Sequence, residues 1–172
     1  DLARRIAEML PGGAHLDETR GFDHGCWGVL LPIYPDAQVP VVQLSLDRRL
    51  PLLRHYELAR SLRSLRQESI LFVGSGNIVH NLARIDFTAS KGAPWAVRCN
   101  DRVKQYIADN DVPSLANFAL SDPDALLSIP TPEHFLPLLY VLGVRGPDDR
   151  IQWFNDTTTM GSLSMTSLVL AS

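Results

Sequence analysis

The sequence predicts an α/β fold: a central mixed or mostly parallel sheet flanked by helices, in a single domain that is N-terminally incomplete. Three observations carry this expectation. Residues 39–73 run from a short apolar stretch through an amphipathic helical stretch to a second apolar stretch, the strand–helix–strand rhythm of an α/β sheet. The chain has 172 residues, 45% hydrophobic and 20% charged, which suits one globular domain rather than a disordered or fibrous chain. The chain opens on Asp1 with Leu2, Ile6 and Leu10 already at helical spacing, as if a helix were entered part-way.

Taken in order, the opening helix stops near Pro11, Gly12 and Gly13, because proline cannot continue the hydrogen-bond ladder and paired glycines favour a reversal. A loop leads to Gly21. Residues 39–46 (VPVVQLSL) supply Val41, Val42, Leu44 and Leu46 and read as a buried strand. Over residues 51–67, Leu52, Tyr56, Ala59, Leu62 and Leu65 recur at three- and four-residue steps, while Arg54, Glu57, Arg60 and Arg63 take the opposite side. Pro51 suits the first turn of that helix. Residues 69–73 (SILFV) read as the next strand, leaving through Gly74, Ser75 and Gly76.

A helix over residues 95–108 carries Trp95, Val103, Tyr106 and Ile107, and the polar, proline-broken stretch after it, through Asp124, shows no clear element. Thr131 and Pro132 form an N-cap and first-turn pair for a helix bearing Phe135, Leu138, Leu139 and Leu142 and ending at Gly143. Residues 151–154 and 163–170 read as closing strands.

Charge and composition exclude several partners. Sixteen Lys plus Arg against 19 Asp plus Glu give a net charge of -3, no footprint for a nucleic acid. The apolar run at 135–144 is broken by Pro137 and Gly143 and falls short of the roughly 20 residues a membrane span requires. Cys26 and Cys99 show no CxxC spacing, which fits a reducing compartment and a cytoplasmic location.

The chemistry rests on histidines. His24 (GFDHGCWGVL) and His80 (VGSGNIVHNL) fall in predicted loops or at element ends, and His134 (PTPEHF) falls in the first turn of a helix. Open α/β sheets place ligand sites beyond the carboxyl ends of their strands, where His80 would lie. At a helix start the macrodipole disfavours imidazolium, which biases His134 toward the neutral form that ligates metals. The ordinary reading of a lone loop histidine is structural, and His15 and His55 read as surface residues. Asp23 reads as a turn carboxylate in reach of orienting His24, and Trp27 as core packing. GSGN at 74–77 lacks both GxGxxG spacing and a Walker lysine, and Ser75 does not sit in a GxSxG elbow.

Five stretches together, GFDHGCWGVL (21–30), YPDAQVPVVQLSL (34–46), GSGNIVHNL (74–82), PTPEHFLPLLYVLGV (130–144) and MGSLSM (160–165), resemble the class III extradiol ring-cleavage dioxygenases, 4,5-DOPA dioxygenase type. They occur in family order and span nearly all of the chain. On that resemblance residues 1–172 form the C-terminal part of the catalytic domain, an oxidoreductase that inserts both atoms of O2 into a catechol-type substrate at a mononuclear Fe(II) or Zn(II) site.

The resemblance implies His80 and His134 as metal ligands and His24 as a substrate-facing proton-transfer residue. In related enzymes the glycine-rich-motif histidine is an acid/base residue, so His80 stands as either ligand or acid/base. The family's two further metal-site histidines, in GHGSP-like and SAHW-like stretches, are not in this sequence. An oligomer or a complementing N-terminal segment is therefore an expected partner. The competing readings are a metal-dependent hydrolase on a related scaffold and an inactive fragment or subunit.

Overall fold

The computed structural model describes residues 2–171. α1 (Leu2–Met9) ends just before Pro11, as the sequence predicts. The 51–67 helix divides into α3 (Leu52–Ser61) and a 3-10 segment, Arg63–Glu68. α4 (Pro94–Ala108) follows its predicted bounds closely. The proline-broken stretch after it forms two further helices, α5 (Val112–Ser121) and α6 (Pro123–Ser128). Their signals are local. Asp111 and Asp122 accept backbone N–H groups of the first turn, and Pro113 and Pro123 occupy the first-turn positions where a missing N–H costs nothing.

The main core joins α3, α4, α5, α6 and a last helix, α7 (Leu136–Gly143), around Val79, Cys99, Val103, Leu115, Leu136 and Leu139. A second cluster packs α1 on α3 through Leu10, Ala59, Leu62 and Leu65. α3 and α7 cross closely at Gly143, where a Cβ would stand 2.5 Å from Ala59 Cβ and 2.6 Å from the Tyr56 carbonyl oxygen. Only glycine fits that crossing.

The sheet is the principal departure from expectation. Among the described residues, strand pairing amounts to two small antiparallel ladders and two isolated bridges, His80 with Leu163 and Gly92 with Gly161. β1 (Arg150–Phe154) pairs with β4 (Ser167–Ala171), Arg150 opposite Ala171 and Phe154 opposite Ser167. β2 (Thr158–Thr159) pairs with β3 (Leu163–Ser164). The predicted closing strand at 163–170 is thus divided between two ladders. Residues 39–46 and 69–73 have strand composition but form no strand, and a central mixed or mostly parallel sheet is not formed. A strand exists only with a hydrogen-bonded neighbour, and among the described residues neither stretch has a ladder partner.

Some of their apolar side chains stay open, while Leu44, Ile70 and Phe72 pack on the second cluster and Leu46 on the main one. Leu71 is 69% exposed, and Val42 and Val73 are also exposed. A groove of about 500 Å³ flanks residues 70–74 between α7 and the β1–β4 ladder. α2 (His24–Ile33) is apolar around its whole circumference yet buries no residue. Trp27, expected in the core, is 54% exposed there. No described helix is long and apolar enough to cross a membrane, and both cysteines are free.

His55, expected at the surface, is fully buried. It lies three residues after Leu52 and four before Ala59, both buried, so helical geometry carries it inward with them. Its Nδ1 lies 3.2 Å from the Tyr140 hydroxyl on α7. Burial holds the His55 pKa below its ordinary 6.5, against an opposing pull from Asp47. The unfolded chain therefore takes up this proton first, and stability should fall as pH drops below about 6.5. His55→Gln should flatten that slope in urea titrations across pH 5.5–7.5. Because His134 adds to the same slope, the informative quantity is the wild-type minus variant difference, and a zero difference would show that His55 is not its source.

Candidate active site

The PTPEHFLP stretch does not form one continuous helix. Pro132–His134 make a 3-10 turn and α7 starts afresh at Leu136, with Pro137 in its first turn. Pro137 has no N–H to give the Glu133 carbonyl, and its ring would clash there, so the helix must break. Thr131 caps no backbone group, contrary to expectation; its hydroxyl donates to Glu133 Oε1 at 2.8 Å. The break also frees the His134 carbonyl. Leu138 N–H donates to Phe135 O, and the His134 oxygen accepts from Asn77 N–H at 2.8 Å instead.

That contact brings the two histidine motifs together, and Gly76 makes it possible. A Cβ at position 76 would stand 2.1 Å from the His134 carbonyl oxygen. Beyond Gly76 the chain is held by the MGSLSM stretch. Ser164 N–H donates to Val79 O at 3.0 Å, Asn81 N–H to Ser162 O at 3.1 Å, and Ser162 Oγ to Asn81 O at 2.7 Å. His80 and Leu163 form an isolated antiparallel bridge, and His80 N–H donates to Ser128 O at 2.9 Å.

The product of these constraints is a stacked imidazole pair. The His80 and His134 rings lie 3.5 Å apart, centroid to centroid, with 9° between their planes. Burial first, and then the neighbouring His80, hold the His134 pKa below its ordinary value, with Glu133 pulling the other way and His24 adding to the depression. His134 is therefore biased neutral by its surroundings rather than by a helix dipole, since a three-residue turn has little dipole to offer.

His24 stands within electrostatic reach of this pair. It stands at an element end, as the sequence suggests, opening α2, whose N-cap is Asp23. Asp23 Oδ1 accepts from Cys26 N–H at 3.1 Å, so this carboxylate caps the helix. Gln43 Oε1 accepts from Asp23 N–H at 3.0 Å, and Gly25 packs against the Ser75 side chain, which seats the helix start beside the glycine-rich motif. His24 itself is exposed, as is His15.

These residues do not by themselves make the metal centre the resemblance implies. Among the described residues no group of three or more His, Cys, Asp or Glu side chains could hold an ion. The stack is a second obstacle. Each imidazole lone pair lies in its own ring plane, and a ligand nitrogen sits about 2.0–2.1 Å from zinc. An ion in the plane of one ring lies far out of the plane of a parallel ring stacked 3.5 Å away. In this arrangement a single ion can take one of the two rings. Glu133 Oε2, next in sequence to the pair, is buried without a hydrogen-bond partner among the described residues.

The three motif histidines were visible from the sequence; Asn77 and the serines of MGSLSM that clamp them were not. Their signal was present in the motifs themselves, as polar residues within otherwise apolar stretches, each of which needs a buried partner.

Comparison with known proteins places the chain in a known class. Residues 1–170 match the family described as the catalytic LigB subunit of aromatic ring-opening dioxygenase, and the chain belongs to that family. Among its relatives, 4,5-DOPA dioxygenase extradiol of Escherichia coli (strain K12) is 45% identical over 97% of this chain and 64% of its own length. The protein of the same name from Portulaca grandiflora is 34% identical over 96% of this chain and 63% of its own. The crystal structure of an uncharacterized Escherichia coli K12 protein superposes with a TM-score of 0.87 at 44% identity, covering 97% of this chain and 70% of that one. The chain thus spans a little under two thirds of the length of these curated relatives.

Proposed function

We propose that the whole protein is an extradiol ring-opening dioxygenase that inserts both atoms of O2 into a catechol-type substrate, and that this chain contributes its proton-handling residues and part of its metal site. The observation that carries this reading is the convergence of His80 and His134 from separate motifs of a LigB-family chain into one stacked pair. Fe(II) or Zn(II), when bound, supplies a common centre for the adjacent diol oxygens and O2.

The stack supports a division of labour: His134 would hold the ion, and His80 would serve proton transfer. A neutral His134, kept so by burial and by His80, is suited to ligation. The remaining ligands would come from outside the described residues, and Glu133 Oε2, buried among them without a hydrogen-bond partner, supports that reading. His24, exposed at the start of α2, would take a phenolic proton from the diol and return it during ring opening, and His80 is the second group suited to that exchange.

The test is aerobic turnover of a catechol by the full-length protein loaded with Fe(II). O2 uptake with a coloured ring-opened product is the expected result. Turnover that depends on water and proceeds without oxygen would replace this reading with a metal-dependent hydrolase, which no feature of the site favours.

A further inference from the structure

Asn77 hydrogen-bonds both of the other segments of the site. Its backbone N–H donates to the His134 carbonyl at 2.8 Å. Its side-chain amide donates to the Ser164 carbonyl at 2.7 Å. Ser164 in turn donates its own N–H to Val79 O, one residue before His80, and its hydroxyl is fixed on Asn100 Oδ1 at 2.6 Å in the buried core. The residue therefore holds the His134 turn with its backbone and the clamp on His80 with its side chain.

The chemistry of an amide suits this place. Ser164 O is a carbonyl and can only accept, so the group facing it must donate. A carboxylate at position 77 would set two acceptors against each other in a half-buried site and leave both unsatisfied. An aliphatic side chain would leave Ser164 O without this donor, while the backbone contact to His134 would remain. Gly76 sharpens the constraint, because the close approach of His134 O leaves position 77 little freedom to shift.

We infer that Asn77 is a positioning residue: its side-chain amide sets the spacing and parallel alignment of His80 and His134 through the Ser164 clamp, without touching substrate. The inference rests on the proposed function for its consequence in turnover, but not for its geometric content.

Two readouts keep these apart. In metal-free full-length protein labelled at the histidine rings, the stack should shift the His80 and His134 ring protons upfield, each ring lying over the face of the other. Asn77→Asp and the uncharged Asn77→Ala should both lose that shift while far-UV circular dichroism stays native. In Fe(II)-loaded full-length protein both should lower kcat by about tenfold to a hundredfold, the range expected for a displacement of about 1 Å, with KM nearly unchanged. If Asn77→Asp fails to fold, Asn77→Ala decides alone.

Ring shifts that survive in a folded variant overturn the inference whatever the activity, and so does lost stacking with wild-type kcat. A wild-type enzyme that turns over no catechol refutes the proposed function instead, and the ring shifts then decide the positioning role by themselves.

Discussion

Replacing His80 by Gln in the full-length protein should lower kcat by about 10²–10⁴-fold and leave the metal content unchanged, the loss expected for removal of a positioned acid/base group. His134→Gln should lose bound metal, and with it all turnover. The contrast follows from the stack, because two parallel rings 3.5 Å apart can offer a single ion one lone pair between them. Metal content is read by elemental analysis after gel filtration, and turnover by O2 uptake. Metal loss in the His80 variant with retention in the His134 variant would reverse the assignment, and loss in both would show that the rings separate to ligate together.

The second large effect concerns stability. Arg66, at the end of α3's 3-10 extension, forms an ion pair with Asp149 and donates to the Val144 carbonyl at 3.0 Å. Asp149 is almost wholly buried, and also accepts from Gly146 N–H at 2.6 Å. The pair joins the end of α7 to the start of β1. Removing Asp149 leaves the half-buried Arg66 without its counter-charge and the Gly146 N–H without its acceptor, so Asp149→Ala should cost about 3 kcal/mol. For a chain of this size that is a fall in Tm of about 10 °C.

A double variant, Arg66→Met with Asp149→Leu, should recover much of the loss, because an apolar pair carries no desolvation penalty. Equal melting of wild type and Asp149→Ala would place the pair among exposed contacts worth little.

Much of the local structure was legible beforehand. α1, α3 and α4 follow from apolar residues at three- and four-residue steps, and β1 from its short apolar run. α5 and α6 were legible in principle, through Asp111 and Asp122 ahead of prolines, but the polar composition around them hid the pattern. His55 shows the opposite error: polarity suggested the surface while its spacing from Leu52 and Ala59 already placed it inward. Trp27 erred the other way, since a large apolar side chain enters a core only when another element covers it, and no described element covers α2.

The sequence by itself determined α1, α3, α4 and the body of α7, the stops near Pro11 and at Gly143, and which imidazoles stand in motifs of one family. Those are properties of neighbouring residues, carried by periodicity and by the backbone limits of Pro11 and Gly143. The tertiary structure alone decided that 39–46 and 69–73 form no ladder, that the His134 carbonyl meets Asn77, and that His80 and His134 stack. Strand pairing and ring contact depend on what lies alongside in space, and residues distant in sequence acquire that relation only when the chain packs.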